Sequence, residues 1–147
     1  MTIDADLVTR KMLLITRDMD ALRPLFAKGL DTYLQNPIDQ AVVERYLERA
    51  IGRMIDINYH LITETGHPPP SDYHASFTRL GELKILDPAL AQRIARAAGL
   101  RNRLVHEYDD LDSRLVFEAL DAALRDLPAY LTRVNEHVSR NADPNAQ

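Results

Sequence analysis

Three residues near position 100 have the types and spacing to act on a phosphodiester: Arg101, His106 and Tyr108, in the order R-x4-H-x-Y. Arginine is always charged and presents a planar fork of donors that fits a phosphate. Histidine is the side chain that exchanges a proton near neutral pH. Together they suit cleavage of RNA through its own 2′-hydroxyl. His106 would take the 2′-hydroxyl proton or protonate the leaving oxygen, while Arg101 would hold the phosphate as negative charge grows on it. The bland reading of the same residues is a helix end with an Arg on its surface and a His near the last carbonyls. The flanking sequence decides between the two.

Those flanks are basic. From Pro88 to His106 there is no acidic residue, and the segment carries Arg93, Arg96, Arg101 and Arg103. The whole chain has a net charge of −4, which argues against a general nucleic-acid coat protein. A local basic stripe on an acidic molecule instead suits a site for one phosphate or a short single strand. Arg93, Arg96 and Arg103 are therefore candidate RNA contacts.

The elements that must position these residues read as helices. With 147 residues, 46% apolar and 27% charged, the chain has the make-up of one ordinary globular domain. We expect a single helical domain over 1–140 and a polar, frayed tail over 141–147. Leu7, Met12, Ile15, Met19 and Leu22 recur at helical spacing behind an Asp4 or Asp6 cap, and Pro24 should kink or end that helix. A shorter helix from Leu25 to Leu34 follows, broken by Asn36-Pro37. A long helix from about Asp39 to Thr65 has apolar residues on more than one stripe, as a central or interface helix does. Gly66 and Pro68-Pro69-Pro70 end it. Ser71 or Asp72 caps a third helix, and Asp87-Pro88 starts a fourth that runs into the motif through Gly99. The acidic loop Asp109-Asp110-Leu111-Asp112 leads into a last helix from Ser113, irregular at Pro128. The fold class is all-α, an antiparallel helical bundle.

On a straight helix Arg101 and His106 point well apart. Either the helix unwinds near Tyr108, or a second copy of the chain completes the site. Two His106 side chains across a two-fold axis would supply both the base and the acid that in-line cleavage wants. Elsewhere, Asp56 and His60 lie one helical turn apart with Glu48 two turns earlier, a spacing read as an ordinary helix ion pair before a metal face. His67 and His74 flank the proline run without a ligand spacing, and His137 is placed on the surface. Asp109, Asp110 and Asp112 read as a solvated loop with a cap for the next helix. No Cys is present, which excludes disulfides and thiolate metal sites. No cofactor or metal is expected. The N-terminus lacks the layout of a signal peptide and no apolar run reaches membrane length, so a cytoplasmic protein is the expectation.

The run from Gly99 to Tyr108, GLRNRLVHEY, resembles the signature of the HepT-like toxins of the HEPN superfamily. The likeness extends over the long second helix with Glu48, Asp56 and His60, the proline turn, and the acidic loop with its helix. It implies a HEPN-type helical domain, a metal-independent endoribonuclease and a homodimer with the motif at the subunit interface. It also implies a toxin whose partner is an ATP-using minimal nucleotidyltransferase antitoxin that transfers AMP to the motif tyrosine. By position, Arg101 and His106 match the catalytic pair, Asn102 the polar residue after the Arg, and Tyr108 the modified tyrosine. The alternative is a non-catalytic, nucleotide-binding adaptor bundle that serves only as a nucleotidyltransferase substrate. The resemblance does not say which RNA is cut.

Overall fold

Four of the six helices begin where a short polar side chain takes up a free amide. Asp4 accepts from the Leu7 amide at 3.0 Å and opens α1, Ala5–Ala27. Asn36 accepts from Asp39 and Pro37 fills the first turn of α3, Pro37–Glu64. Asp72 accepts from Ala75 at 2.7 Å and opens α4, Tyr73–Glu82. Pro88 starts α5, Pro88–His106, although Asp87 makes no side-chain cap there. Asp112 accepts from the Arg114 amide at the start of α6, Ser113–Asn141, as its place in the acidic loop predicts. Between α1 and α3 lies the five-residue α2, Leu30–Leu34. The computed structural model describes residues 2–107 and 109–141, and all six of these elements are α-helices. The tail expected beyond Asn141 lies outside the described residues.

Two prolines are accommodated within helices. Pro24 lies inside α1, which ends only at Ala27, and Pro128 lies inside α6. Pro24 stands less than one turn from the helix end, so few residues depend on the bond it cannot make. In α6 the buried Leu124, Leu127, Tyr130 and Val134 hold both sides of Pro128 to the core. Gly29, at φ +90°, makes the turn that Pro24 was expected to make.

The long α3 is central, as its wide apolar face predicts. It touches each of the other five helices, and α4 and α5 pack on each other at one side. Gly81 of α4 permits that packing, since a Cβ there would meet the Ala91 side chain at 2.7 Å. Where α3, α4 and α6 meet, the buried polar groups form a chain. The Tyr130 hydroxyl donates to Asn58 Oδ1 (2.7 Å), Asn58 Nδ2 donates to Ser76 Oγ (3.1 Å), and Ser76 Oγ donates to the Tyr73 carbonyl (2.7 Å). Burial holds the Tyr130 hydroxyl well above its ordinary pKa, so it remains a donor. No helix among the described residues is long and apolar enough to cross a membrane.

Candidate active site

Buried Ala98, Leu100 and Leu104 fix the rotation of α5 on the core. That leaves Asn102, Arg103 and His106 exposed and Arg101 half-buried. The helix does not unwind within the motif: the Glu107 amide still bonds to the Arg103 carbonyl at 2.8 Å. Along a regular helix Arg101 and His106 therefore diverge by about 140° around the axis. The helix is regular from Arg101 to His106 and ends there with Glu107 as its cap, and the unwinding expected near Tyr108 lies outside the described residues. Tyr108 lies outside the described residues.

Arg101 turns toward α4. Its guanidinium carbon stands 5.2 Å from the centre of the Tyr73 ring, within cation–π range. Tyr73 is itself held. Its ring meets Tyr59 edge to face at 6.2 Å, and its carbonyl ends the buried chain from Tyr130. Burial, followed by the neighbouring Tyr73 and Asp72, raises the Tyr59 pKa. Arg101 and Tyr73 form one wall of an open cleft of about 310 Å³, large enough for a small ligand; Arg49, Gly52, Arg53 and Asp56 of α3 line the opposite wall.

The two arginines of the α3 wall share a buried carboxylate behind it. Asp18 of α1 is buried at 2% exposure and is shared by two arginines, Arg49 and Arg53, the latter at 2.8 Å. The bond to Asp18 is the main reason that the Arg49 pKa is raised. Arg49 also lies 4.5 Å over the Tyr46 ring. Among the described residues Arg101 has no carboxylate partner, whereas Asp56 pairs with Lys11 at 3.1 Å and Glu48 with Arg45 at 3.5 Å.

His106 belongs to the other face. Asn102, Arg103 and Arg96 are exposed and fall within about 80° of it on the helical wheel. Arg93 stands apart, paired with Asp126 of α6 at 3.5 Å. The stripe seen in the sequence therefore divides into Arg96 and Arg103 beside His106, Arg93 on α6, and Arg101 in the cleft.

The remaining candidates have other partners. Asp56 and His60 do not pair with each other as their spacing suggests; both reach α1, His60 Nε2 accepting the Asp4 amide at 2.9 Å. His67 lies against Arg79. His137 is half-buried and not a surface residue, because α6 turns it partly inward, and burial lowers its pKa. Among the described residues no three His, Asp or Glu side chains gather as ligands for a metal ion. Sequence reasoning missed Tyr73 and the Asp18–Arg49–Arg53 group. The signal for Asp18 was present: it stands at core spacing among Ile15, Met19 and Leu22, and two arginines four apart interrupt the apolar run of α3.

A tri-AMPylated Shewanella oneidensis HEPN toxin in complex with its MNT antitoxin has the same fold, with a TM-score of 0.81 at 24% identity over 89% of this chain and 98% of that one. Residues 15–134 match the ribonuclease HepT-like family, and the chain belongs to that family. It is 37% identical to a tRNA nuclease HepT of Aphanizomenon flos-aquae over 92% of each chain. It is 23% identical to an mRNA nuclease HepT of Shewanella oneidensis over 86% of this chain and 94% of the relative. The resemblance read from GLRNRLVHEY is thereby borne out, as are the all-α bundle fold and the endoribonuclease class.

Proposed function

We propose that this chain is the toxin of a two-protein system and cuts RNA by transesterification at a site completed by a second copy. In one copy His106 removes the 2′-hydroxyl proton. The 2′-oxygen attacks phosphorus and the bond to the 5′-oxygen breaks. The second copy's His106 gives a proton to that leaving oxygen. Arg101 stabilises the charge on the equatorial oxygens, and Asn102 orients the phosphate or the imidazole. The nucleophile is already next to the phosphorus, so the reaction needs no metal. The products carry a 2′,3′-cyclic phosphate and a 5′-hydroxyl. The observation that carries this reading is the placement of Arg101, without a carboxylate partner among the described residues, beside an open cleft and about one and a half helix turns from an exposed His106. The divergence of the two around α5 favours completion by a homodimer, and Arg96 and Arg103 beside His106 suit RNA phosphates. Arg93, already paired with Asp126, contributes less.

Regulation follows from the same chemistry. An ATP-using nucleotidyltransferase antitoxin would place AMP on Tyr108, two residues from His106. Its bulk and negative charge would occupy Arg101 and exclude the RNA phosphate. The protein acts in the cytoplasm, where RNA and ATP are both at hand. The 37% identical relative is named a tRNA nuclease, so tRNA is the first RNA to try. The test is to incubate purified chain with tRNA and with message in the presence of a chelator, then determine the ends. Fragments with cyclic phosphate and 5′-hydroxyl ends, absent with His106→Ala, are expected. Undiminished cleavage by His106→Ala at matched purity would overturn the reading.

A further inference from the structure

The cleft beside Arg101 has features that cleavage at a single phosphate does not use. Its α3 wall carries two guanidiniums, Arg49 and Arg53, which share one buried carboxylate behind them, Asp18, and this leaves one positive charge uncompensated among the described residues. The carboxylates at its rim are already neutralised, Asp56 by Lys11 and Glu48 by Arg45. Arg101 adds a second unpaired charge on the opposite wall. The cleft therefore carries a positive excess at two separated points, with an aromatic ring, Tyr73, beside one of them.

Gly52 is the second observation. It sits in the interior of a 28-residue helix, where glycine is less favourable than alanine. Packing does not require it, because a Cβ at Gly52 would meet nothing within 4 Å. It lines the cleft on the same side as Arg49 and Arg53. The missing side chain keeps that wall low.

We propose that this cleft is a second RNA subsite, which takes the backbone phosphate next to the scissile one, with Arg49 and Arg53 as its anion-binding residues and Gly52 as its opening. The inference rests on the nuclease reading given above. Asp18 sets the charge of the subsite: it holds both guanidiniums in place and cancels only one of them. Arg101 then marks the boundary between the two phosphates, and a single strand follows the line from α5 to α3.

The experiment is cleavage of bulk tRNA or message, whichever wild type cuts, with kcat/KM measured from low to moderate salt. Each phosphate contact contributes about 0.7 to the slope of log affinity against log salt for a single strand. Arg49→Gln should lower kcat/KM by about tenfold at low salt and flatten the slope by about that amount. Arg49→Lys keeps the charge and should keep the slope. Asp18→Asn, which frees a positive charge, should steepen it. Gly52→Leu should raise KM with little change in kcat, while Gly52→Ala remains active. Folding is checked for each variant by circular dichroism. Equal losses in Arg49→Gln and Arg49→Lys with an unchanged slope would overturn the proposal, even if Asp18→Asn does not fold. If wild type cuts neither RNA, or His106→Ala cuts as well as wild type, the nuclease reading has failed and not the subsite alone.

Discussion

Two polar clusters border on Tyr73, and they differ in how far their hydrogen-bonding capacity is used. Toward the core, Tyr130, Asn58 and Ser76 form a closed chain in which each donor finds an acceptor, and all three are buried. Toward solvent, Arg101 has a ring beneath it and, among the described residues, no carboxylate, while His106 stands exposed on the other face of α5. A saturated buried network stabilises one arrangement of the helices, and breaking it leaves a polar group stranded. A charge held in place without a partner contributes little to stability and is available to a ligand. The first cluster fixes where α4 begins, and thereby where Tyr73 supports Arg101.

The largest effects should fall on activity in the open cluster. His106→Ala should reduce cleavage by about 10³-fold and Arg101→Ala by about 10²- to 10³-fold, with denaturation midpoints close to wild type. Single-turnover cleavage and urea unfolding measured on the same samples check both halves. A large fall in stability in either variant would mean that the cluster is structural and the contrast false.

The closed cluster should respond in the opposite way. Tyr130→Phe removes the only donor to Asn58 Oδ1 among the described residues and should cost about 1–3 kcal/mol of stability. Cleavage per folded molecule should fall far less than in His106→Ala. A stability change below about 0.5 kcal/mol would show that water or a rotated Asn58 replaces the bond.

Tyr73 joins the two clusters, and its variants sharpen the comparison. Tyr73→Leu removes the ring under Arg101 and should lower kcat by about two- to fivefold, in line with a partly exposed cation–π contact. Tyr73→Phe keeps the ring and should keep the rate. In an Arg101→Ala background Tyr73→Leu should have no further effect, because the contact it supports is already gone. Equal losses in the two backgrounds would separate Tyr73 from Arg101.

What the sequence made legible follows the same division. The helices were readable because apolar spacing and caps are local: Asp4, Asn36, Asp72 and Asp112 each serve within three residues. The motif was readable because Arg101, Asn102, Arg103 and His106 lie on one helix. Tyr73 was not, since its meeting with Arg101 depends on the packing of α4 against α5, which turns on Gly81 and Ala91. The Asp18–Arg49–Arg53 group joins α1 to α3 across 31 residues or more, and no local pattern encodes that register. How each helix carries its proline was not legible, because the cost of a proline depends on how firmly the tertiary core holds the flanking turns.

The smallest effect concerns pH and the far end of α6. His137 is half-buried there, and its Nε2 is buried without a hydrogen-bond partner among the described residues. Burial, aided by Arg140, lowers its pKa below the ordinary histidine value. The folded chain therefore resists protonation at a pH where the unfolded chain accepts it. The associated stability is present above the ordinary value, near 6.5, and is lost as pH falls through the lowered one. Glu44 works in the reverse sense: burial raises its carboxyl, so its contribution is present below the ordinary glutamate value and fades as pH rises through the raised one. Urea midpoints for wild type and His137→Gln from pH 8 to pH 5 test this. Wild type should lose stability more steeply than the variant below about pH 6.5. Parallel curves would show that His137 is not the source of the acid sensitivity.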